Sequence, residues 1–206
     1  MSPWGRVFAS LYEPLLGVSE RNGLADLRAG LLARADGRTL ELGAGTGLNL
    51  VHYPAEVTEL VLSEPEAPMA ARLERRVRAR GLSAQVVRAG AEQLPFADAS
   101  FDTVVATLVF CTVGDPERSL GEVRRVLAPG GRLLFLEHVR HPDAGRARWQ
   151  QRLTPIQRRV ACGCHLDRAT SAAITQAGFV LDDERHEHFP KAPAILQPLA
   201  IGRATR

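Results

Sequence analysis

The feature that most constrains this chain is a short apolar run that breaks into a glycine-rich turn, Leu40 to Gly47. The residues up to Leu42 predict the end of a buried strand. The glycines that follow let the backbone turn sharply and approach a ligand closely, because they carry no Cβ. Residues 48–51 predict the first turn of a helix, whose free N–H groups would face the same ligand. The spacing G-x-G-x-G differs from the dinucleotide fingerprint G-x-G-x-x-G, so the turn alone leaves the ligand open.

An acid follows at the end of the next predicted strand. Residues 57–64 are rich in apolar and β-branched side chains and end at Glu64. An acid roughly 20 residues beyond a glycine turn, at the tip of the second strand, is placed to accept hydrogen bonds from ribose hydroxyls. The alternative is an accidental acid at a strand end. Together with the glycine turn, Glu64 predicts a crevice that binds a nucleoside.

The composition fits one globular domain. The chain has 206 residues, of which 45% are hydrophobic, enough to bury a full core. Its net charge of +3 is carried by scattered arginines with Lys191 as the single lysine, so we expect no nucleic-acid partner. Three cysteines suit a reducing compartment, and no apolar run reaches the ~20 residues that span a bilayer. These features predict a cytoplasmic protein without a transmembrane segment.

Two helices are expected ahead of the first strand. Apolar side chains recur at helical spacing in residues 3–18: Trp4, Phe8, Leu11 and Leu15. We interpret this segment as a helix packed over the domain edge. The alternatives are a lid over the crevice and a shallow, peripheral contact with a membrane. A second helix is expected from Glu20 to Ala35, so that residues 1–36 would form a helical cap.

Strands and helices alternate over the rest of the chain. A helix is expected from Pro65 to Gly81, whose arginines we interpret as a solvated face. Residues 140–170 are expected to be irregular. Further strands are expected at 84–88, 101–110, 132–139, 179–182 and 196–201, and further helices after Asp115 and at 169–177. The alternation predicts a single α/β domain with a doubly wound, mostly parallel, Rossmann-like sheet and one crevice at the carboxyl ends of its strands.

Several blocks in the correct order resemble the signatures of class I S-adenosylmethionine-dependent methyltransferases of the UbiE or type 11 kind. The blocks are residues 41–47, Glu64, 90–96, 101–102 and 122–131. The resemblance implies the seven-stranded class I fold, S-adenosylmethionine as cofactor and methyl transfer as activity. A narrower likeness, to the small thiol methyltransferases of the methyltransferase-like group, involves residues 107–113, 137–139, 149–151 and 163–168. Residues 37–139 would then form the cofactor-binding core, and 140–206 the substrate-side segment and last strands.

The resemblance also implies roles for individual residues. The glycine turn would hold the methionine part of the cofactor and Glu64 the ribose, where the family usually has aspartate. Ala91 and Glu92 would flank the adenine, and residues 107–109 would border the methyl group. The full set of expected cofactor-binding residues is Glu41, Gly43, Ala44, Gly45, Gly47, Asn49, Glu64, Pro65, Gly90, Ala91, Glu92, Thr107, Leu108 and Val109.

His138 is the candidate catalytic residue. It ends the fifth predicted strand, and imidazole titrates near neutral pH, as a general base should. The alternative is a histidine that is simply hydrogen-bonded at a strand end, and His165 is the second candidate base. A thiol acceptor needs a base less than an amine does, because a thiol with a pKa near 8.5 is already partly ionised at neutral pH.

A metal site is not expected. Cys162, Cys164 and His165 form a C-x-C-H run, to which His186 and His188 could add ligands, but this spacing is not a strong zinc pattern. We interpret Cys111 as a small packing residue.

The expected function is methyl transfer to a small-molecule acceptor, with a thiol as the first candidate. One alternative is N- or C-methylation of a lipid or quinone headgroup. Another is a cofactor-binding protein without turnover. The sequence leaves the oligomeric state open.

Overall fold

The computed structural model describes residues 13–14, 16–160 and 163–206 of the chain. Within these residues the strands are β1 Gly37–Leu42, β2 Val57–Ser63, β3 Ala84–Val87, β4 Phe101–Thr107, β5 Leu127–His138, β6 Val180–His188 and β7 Pro198–Thr205. They form one sheet with the order β3-β2-β1-β4-β5-β7-β6. β7 pairs antiparallel with β5 and β6, and the other neighbours pair in parallel. The expected mostly parallel, seven-stranded α/β sheet is confirmed.

Helices cover both faces of the sheet, and alternate residues of β4 point to different helices. The helices in the described part of the chain are α1 Ala25–Leu32, α2 Ala67–Ala79, α3 Pro116–Val126, α4 Ala144–Val160 and α5 Thr170–Gln176. Val104 and Ala106 pack with residues of α3 and α5, whereas Val105 packs with residues of α1. A strand covered on both faces needs apolar side chains at successive positions, which explains the continuous apolar run in this part of the sequence.

The helix expected from Glu20 to Ala35 is interrupted. Glu20–Leu24 forms a π-type turn in which Gly23 has φ +122°, and α1 begins only at Ala25. Glycine adopts this left-handed conformation readily, and it kinks the helical stretch. The segment 3–18 lies largely outside the described residues, so its roles as packing helix, lid or membrane contact stay predictions.

The expectation of an irregular stretch at residues 140–170 is wrong, because α4 occupies most of its first half. The buried side of α4 consists of Ala147, Gln150 and Thr154. Gln150 Nε2 donates to the Ile195 carbonyl at 3.0 Å, so polar contacts replace apolar packing there. The sequence of such a helix shows no hydrophobic periodicity, and a proline such as Pro155 disfavours the prediction of a helix.

Two shorter differences concern the edge of the sheet where the crevice was expected. Leu48–Val51 forms a single 3₁₀ turn and not the start of a longer helix. β4 ends at Thr107 and not at residue 110, because Leu108 takes φ +60° and turns the chain away from the sheet. Among the helices of the described residues, none is long and apolar enough to cross a bilayer.

Candidate active site

The glycine turn after β1 is built so closely that it needs glycine. Gly43 and Gly47 have φ of +54° and +83°, a region that side chains disfavour. A Cβ at Gly47 would lie 2.7 Å from Leu50 Cδ1 and 2.8 Å from Leu73 Cδ1. A Cβ at Gly43 would lie 3.0 Å from Val109 Cγ2, a residue of the loop after β4. The turn is therefore fixed between the 3₁₀ turn, α2 and the end of β4.

Glu64 lies directly beside this turn, at the carboxyl end of β2. Its Oε2 accepts the Gly45 N–H at 2.8 Å, and its Oε1 accepts the Glu66 N–H at 2.8 Å. The side chain is buried, and burial raises the pKa of the Glu64 carboxyl although both N–H groups act in the opposite direction. Each carboxylate oxygen has a second lone pair, so Glu64 can bind two backbone groups and still accept from hydroxyls.

A buried polar cluster lies behind the glycine turn. Glu41, at the end of β1, accepts hydrogen bonds from Asn49 Nδ2 at 2.9 Å and from the Tyr53 hydroxyl at 2.7 Å. Burial outweighs these two donors and raises the pKa of Glu41 to about 7. Asn49 Nδ2 also donates to Thr107 Oγ1 at 2.9 Å. The cluster connects the 3₁₀ turn to the ends of β1 and β4.

Arg28 completes this cluster, and the sequence analysis missed it. Its Nη1 donates to Asn49 Oδ1 and to Thr107 Oγ1, both at 3.0 Å, and its Nε donates to Glu20 Oε1 at 3.1 Å. The residue is only 2% exposed, and Nη2 has no hydrogen-bond partner among residues 13–14, 16–160 and 163–206. A buried guanidinium nitrogen without a partner is costly, unless a ligand supplies an acceptor.

Arg28 also lines a small pocket of about 10 Å³. The pocket is lined by Arg28, Glu41, Gly43, Ala44, Leu48, Asn49 and Thr107. The sequence did contain a signal for Arg28. It lies four residues after Leu24 and three before Leu31, both of which are buried, so a charge stands on the inner side of the helix.

The residues expected at the adenine lie beside Glu64, because β3 pairs with β2. The Glu64 N–H donates to the Val87 carbonyl at 3.0 Å. Ala91 is buried, and Glu92 Oε1 accepts the Gly114 N–H at 2.9 Å. Gly90 stands close to the same side chain, since a Cβ there would lie 3.2 Å from Glu92 Oε2. Pro65 is exposed and follows Glu64 directly.

The loop after β4 is held by a single buried carboxylate. Glu137 of β5 accepts three backbone N–H groups, from Val109 at 2.8 Å and from Phe110 and Cys111 at 3.0 Å each. Burial raises the pKa of Glu137 to about 7 in spite of these donors. This carboxylate fixes residues 109–111, the loop at which the methyl group was expected. No separate role for Glu137 was predicted from the sequence.

His138, the candidate base, is buried at the end of β5. Within the described part of the chain neither ring nitrogen makes a hydrogen bond of normal geometry, although the backbone groups of Leu196 and His165 raise the pKa of the ring. Burial outweighs them and lowers the pKa of His138 to about 4, so the imidazole is neutral at pH 7. His165 is more exposed, and burial together with the neighbouring arginines also lowers its pKa. His138 follows Glu137 in β5, so the two side chains point to opposite faces of the sheet.

Cysteine and histidine residues of the suspected metal cluster are spread apart where the structure describes them. Cys164 is a free thiol beside α4, whereas His186 and His188 lie exposed on β6. Over residues 13–14, 16–160 and 163–206 no three His, Cys, Asp or Glu side chains come together as metal ligands. Cys162 lies outside the described residues.

Comparisons with known proteins show which family this chain resembles. The family described as "Methyltransferase domain" matches residues 40–135. Human "Thiol S-methyltransferase TMT1B" is 39% identical over 170 residues, which cover 81% of this chain and 70% of that protein. The rat protein of the same name is 40% identical over 144 residues, 68% of this chain. The match spans only 59% of the rat protein's own length.

Solved structures show the same fold. The crystal structure of the [4+2]-cyclase SpnF superposes with a TM-score of 0.75 over 98% of this chain and 94% of that chain, at 20% identity. At this identity the likeness concerns the fold alone. The human relative, by contrast, shares more than a third of its residues over most of both chains. The chain therefore belongs to the family of class I S-adenosylmethionine-dependent methyltransferases.

Proposed function

We propose that this protein transfers the methyl group of S-adenosylmethionine to a small-molecule acceptor, with thiols as the preferred class. The observation that carries the proposal is the convergence of the glycine turn, Glu64 and Arg28, whose Nη2 has no partner in the described part of the chain, near the carboxyl ends of β1 and β2. These three features offer a close backbone approach, hydroxyl acceptors and a cation, which are the groups that an amino-acid-bearing nucleoside requires. The thiol preference is supported by the names of the human and rat relatives.

The residues present fit this cofactor. Arg28 lines the same pocket as Gly43 and Ala44, its buried Nη2 has no partner among the described residues, and a carboxylate is the group that a guanidinium binds best. We infer that Arg28 takes the carboxylate of the methionine part. Glu64 would take the ribose hydroxyls, and Ala91 with Glu92 would border the adenine. The other expected cofactor residues line the same edge of the sheet.

When bound, the cofactor supplies an electrophilic methyl group on a sulfonium, so the protein has mainly to align the acceptor and exclude water. We assign the alignment to the loop after β4, because Glu137 fixes residues 109–111 through three hydrogen bonds. The acceptor would approach from the side of residues 140–206. An acceptor thiolate would need no further activation.

We keep His138 as the proton acceptor of this proposal. A neutral imidazole is ready to take a proton at every pH above about 4, the pKa that burial gives it. Such a weak base adds little to the rate of methyl transfer to a thiol. It adds more to the rate for an acceptor that must lose its proton during transfer. Replacement by glutamine should therefore lower the methylation rate less for thiols than for amines, and should leave cofactor affinity unchanged.

The cellular setting is part of the proposal. Cys111 and Cys164 are both free thiols, as expected in the reducing cytoplasm. We propose a cytoplasmic protein that acts on small molecules and not on nucleic acid. Residues 1–36 would cap the crevice, 37–139 would bind the cofactor and 140–206 would select the acceptor.

The test has two stages. Calorimetry with S-adenosylhomocysteine measures cofactor binding, with a Glu64→Ala variant as the weakened control. Release of S-adenosylhomocysteine is then compared for small alkyl thiols, phosphatidylethanolamine and a quinol. Transfer to the thiols above the other two supports the proposal. Preference for a headgroup would replace the acceptor class, whereas binding without transfer to any acceptor would make this a cofactor-binding protein without turnover.

A further inference from the structure

Two cysteines meet where the segment after α4 packs on the loop after β4. The His165 N–H donates to the Cys111 carbonyl at 2.7 Å. Arg168 donates to the carbonyl of Phe110 and, at 2.6 Å, to that of Val113. The hydrogen bond between residues 165 and 111 brings residue 164, which precedes His165, close to residue 111, as a disulfide between the two requires.

The side chains of this pair influence each other as well. Cys111 is buried, whereas Cys164 is partly exposed. Interaction with Cys111, helped by the charge of Arg168, lowers the pKa of Cys164, although burial and Glu137 act in the opposite direction. The same interaction, together with burial and the neighbouring Glu137, raises the pKa of Cys111. The pair therefore combines a partly exposed thiol of lowered pKa with a buried thiol of raised pKa.

This asymmetry is not needed for packing. A buried cysteine that only fills space has apolar neighbours and no reactive partner. An accessible thiol of lowered pKa beside a cation is instead the arrangement that reacts with disulfides, and a second thiol within reach resolves the product.

We propose that Cys164 and Cys111 form a reaction site for small-molecule disulfides, in which Cys164 attacks and Cys111 resolves to give an internal disulfide. The Cys164 thiolate attacks one sulfur of the disulfide RSSR, which forms a mixed disulfide and releases RS⁻. Cys111 then attacks Cys164 Sγ, releases the second RS⁻, and its own proton passes to a leaving thiolate. In total two protein thiols and RSSR become one protein disulfide and two RSH. The two electrons pass from the protein to RSSR.

The bridge would fasten the segment 163–168 to the loop at which the acceptor is proposed to react. This consequence rests on the proposed function, whereas the bridge itself does not. When the surroundings contain many disulfides and few thiols, the thiol acceptors of this enzyme are depleted. Formation of the bridge would then slow the enzyme under the same conditions.

The test exposes the full-length protein to oxidised glutathione, followed by alkylation in denaturant, intact mass and peptide mapping. Wild type should lose two of its three alkylatable thiols, and the mapped peptide should join Cys111 to Cys164. A Cys162→Ser variant should still form the bridge, and a Cys164→Ser variant should keep Cys111 alkylatable. Reduction should restore all thiols.

Three results would overturn the proposal: no loss of thiols, a lasting glutathione adduct on Cys164 with Cys111 still alkylatable, or a bridge to Cys162. Because mass is the readout, these outcomes do not depend on methyl transfer. Turnover of the bridged protein is measured separately with a thiol acceptor, before and after reduction. A rate that recovers several-fold on reduction supports the coupling to catalysis, and an unchanged rate refutes that coupling.

Discussion

Replacing Arg28 by methionine tests whether its free nitrogen binds the carboxylate of the cofactor. Methionine keeps much of the length of the side chain but removes the charge and all donors. A hydrogen bond between charged groups contributes about 1.5–3 kcal/mol, which corresponds to a 10- to 150-fold loss of affinity. We therefore expect the dissociation constant of S-adenosylhomocysteine to rise by about this factor.

The same change removes structural contacts, so the assay must separate the two effects. Arg28 donates to Glu20, Asn49 and Thr107 in the folded protein, and Glu20 would lose its ion pair. 5′-Methylthioadenosine has the adenosine part of the cofactor but no amino-acid carboxylate. Calorimetry with both ligands therefore distinguishes a lost ligand contact from a distorted crevice.

We expect Arg28→Met to lower the affinity for S-adenosylhomocysteine and to leave the affinity for 5′-methylthioadenosine within about twofold of that of wild type. The exposed Arg21, in the π-type turn before α1, offers a matched control, and Arg21→Met should change neither affinity. An equal loss for both ligands would make Arg28 a purely structural residue. Unchanged binding of S-adenosylhomocysteine would refute the assignment outright.

Three further predictions concern buried ionisable groups. Glu64→Gln should lower the affinity for S-adenosylhomocysteine about tenfold in calorimetry, because the amide of glutamine places a donor against a backbone N–H. Glu66→Gln, at an exposed neighbouring position, is the control. Equal affinities of Glu64→Gln and wild type would contradict the ribose role. The pKa of Glu137 is raised from 4.5 to about 7, so its ionisation lowers the free energy of unfolding by up to ~3 kcal/mol as pH rises through this window. Urea titrations of Glu137→Gln should not show this decline. The pKa of His138 is lowered from 6.5 to about 4, so wild type should lose up to ~3 kcal/mol of unfolding free energy as pH falls from 6.5 to 4. The His138→Gln variant should not show this loss. Identical pH profiles of stability for the two proteins would refute the burial argument.

The arrangement of the glycine turn beside Glu64 could be predicted because its signals are local. The glycines, Glu41 and Glu64 lie within 24 consecutive residues, and two neighbouring strands bring them together. Only glycine fits the turn where Leu50 and Leu73 crowd Gly47, so the motif is visible in the sequence. The carboxyl ends of parallel strands meet at one edge of the sheet. The sequence separation between the glycine turn and Glu64 therefore predicted that they lie together.

The missed features depend on contacts between distant parts of the chain. Arg28 reaches Thr107 across 79 positions, and Glu137 reaches Val109 across 28. Neither contact follows from a residue's immediate neighbours. α4 was missed for a different reason, since its inner side carries Gln150 and Thr154 where a hydrophobic period was expected. Polar burial of this kind becomes visible only when the partner groups are known.

Buried carboxylates at the strand ends give the crevice its shape. Glu41 ends β1 and holds Asn49 and Tyr53, Glu64 follows β2 and holds the glycine turn, and Glu137 of β5 holds the loop after β4. Each accepts at least two donors, which only the ionised form can do in full, because a protonated carboxyl presents one donor of its own. Burial nevertheless raises the pKa of all three.

Acidification therefore acts on the fold and on the crevice in opposite directions. Protonation relieves the cost of a buried charge, so the contribution of these acids to the free energy of unfolding increases as pH falls. The same proton removes an acceptor from a backbone N–H of the glycine turn or of the loop after β4. The contacts of Glu41 and Glu137, whose pKa values lie at about 7, should consequently weaken just below neutral pH while the sheet stays folded. A fall in cofactor affinity between pH 7 and pH 6, without a fall in the unfolding free energy contributed by these two acids, is the behaviour that this arrangement predicts.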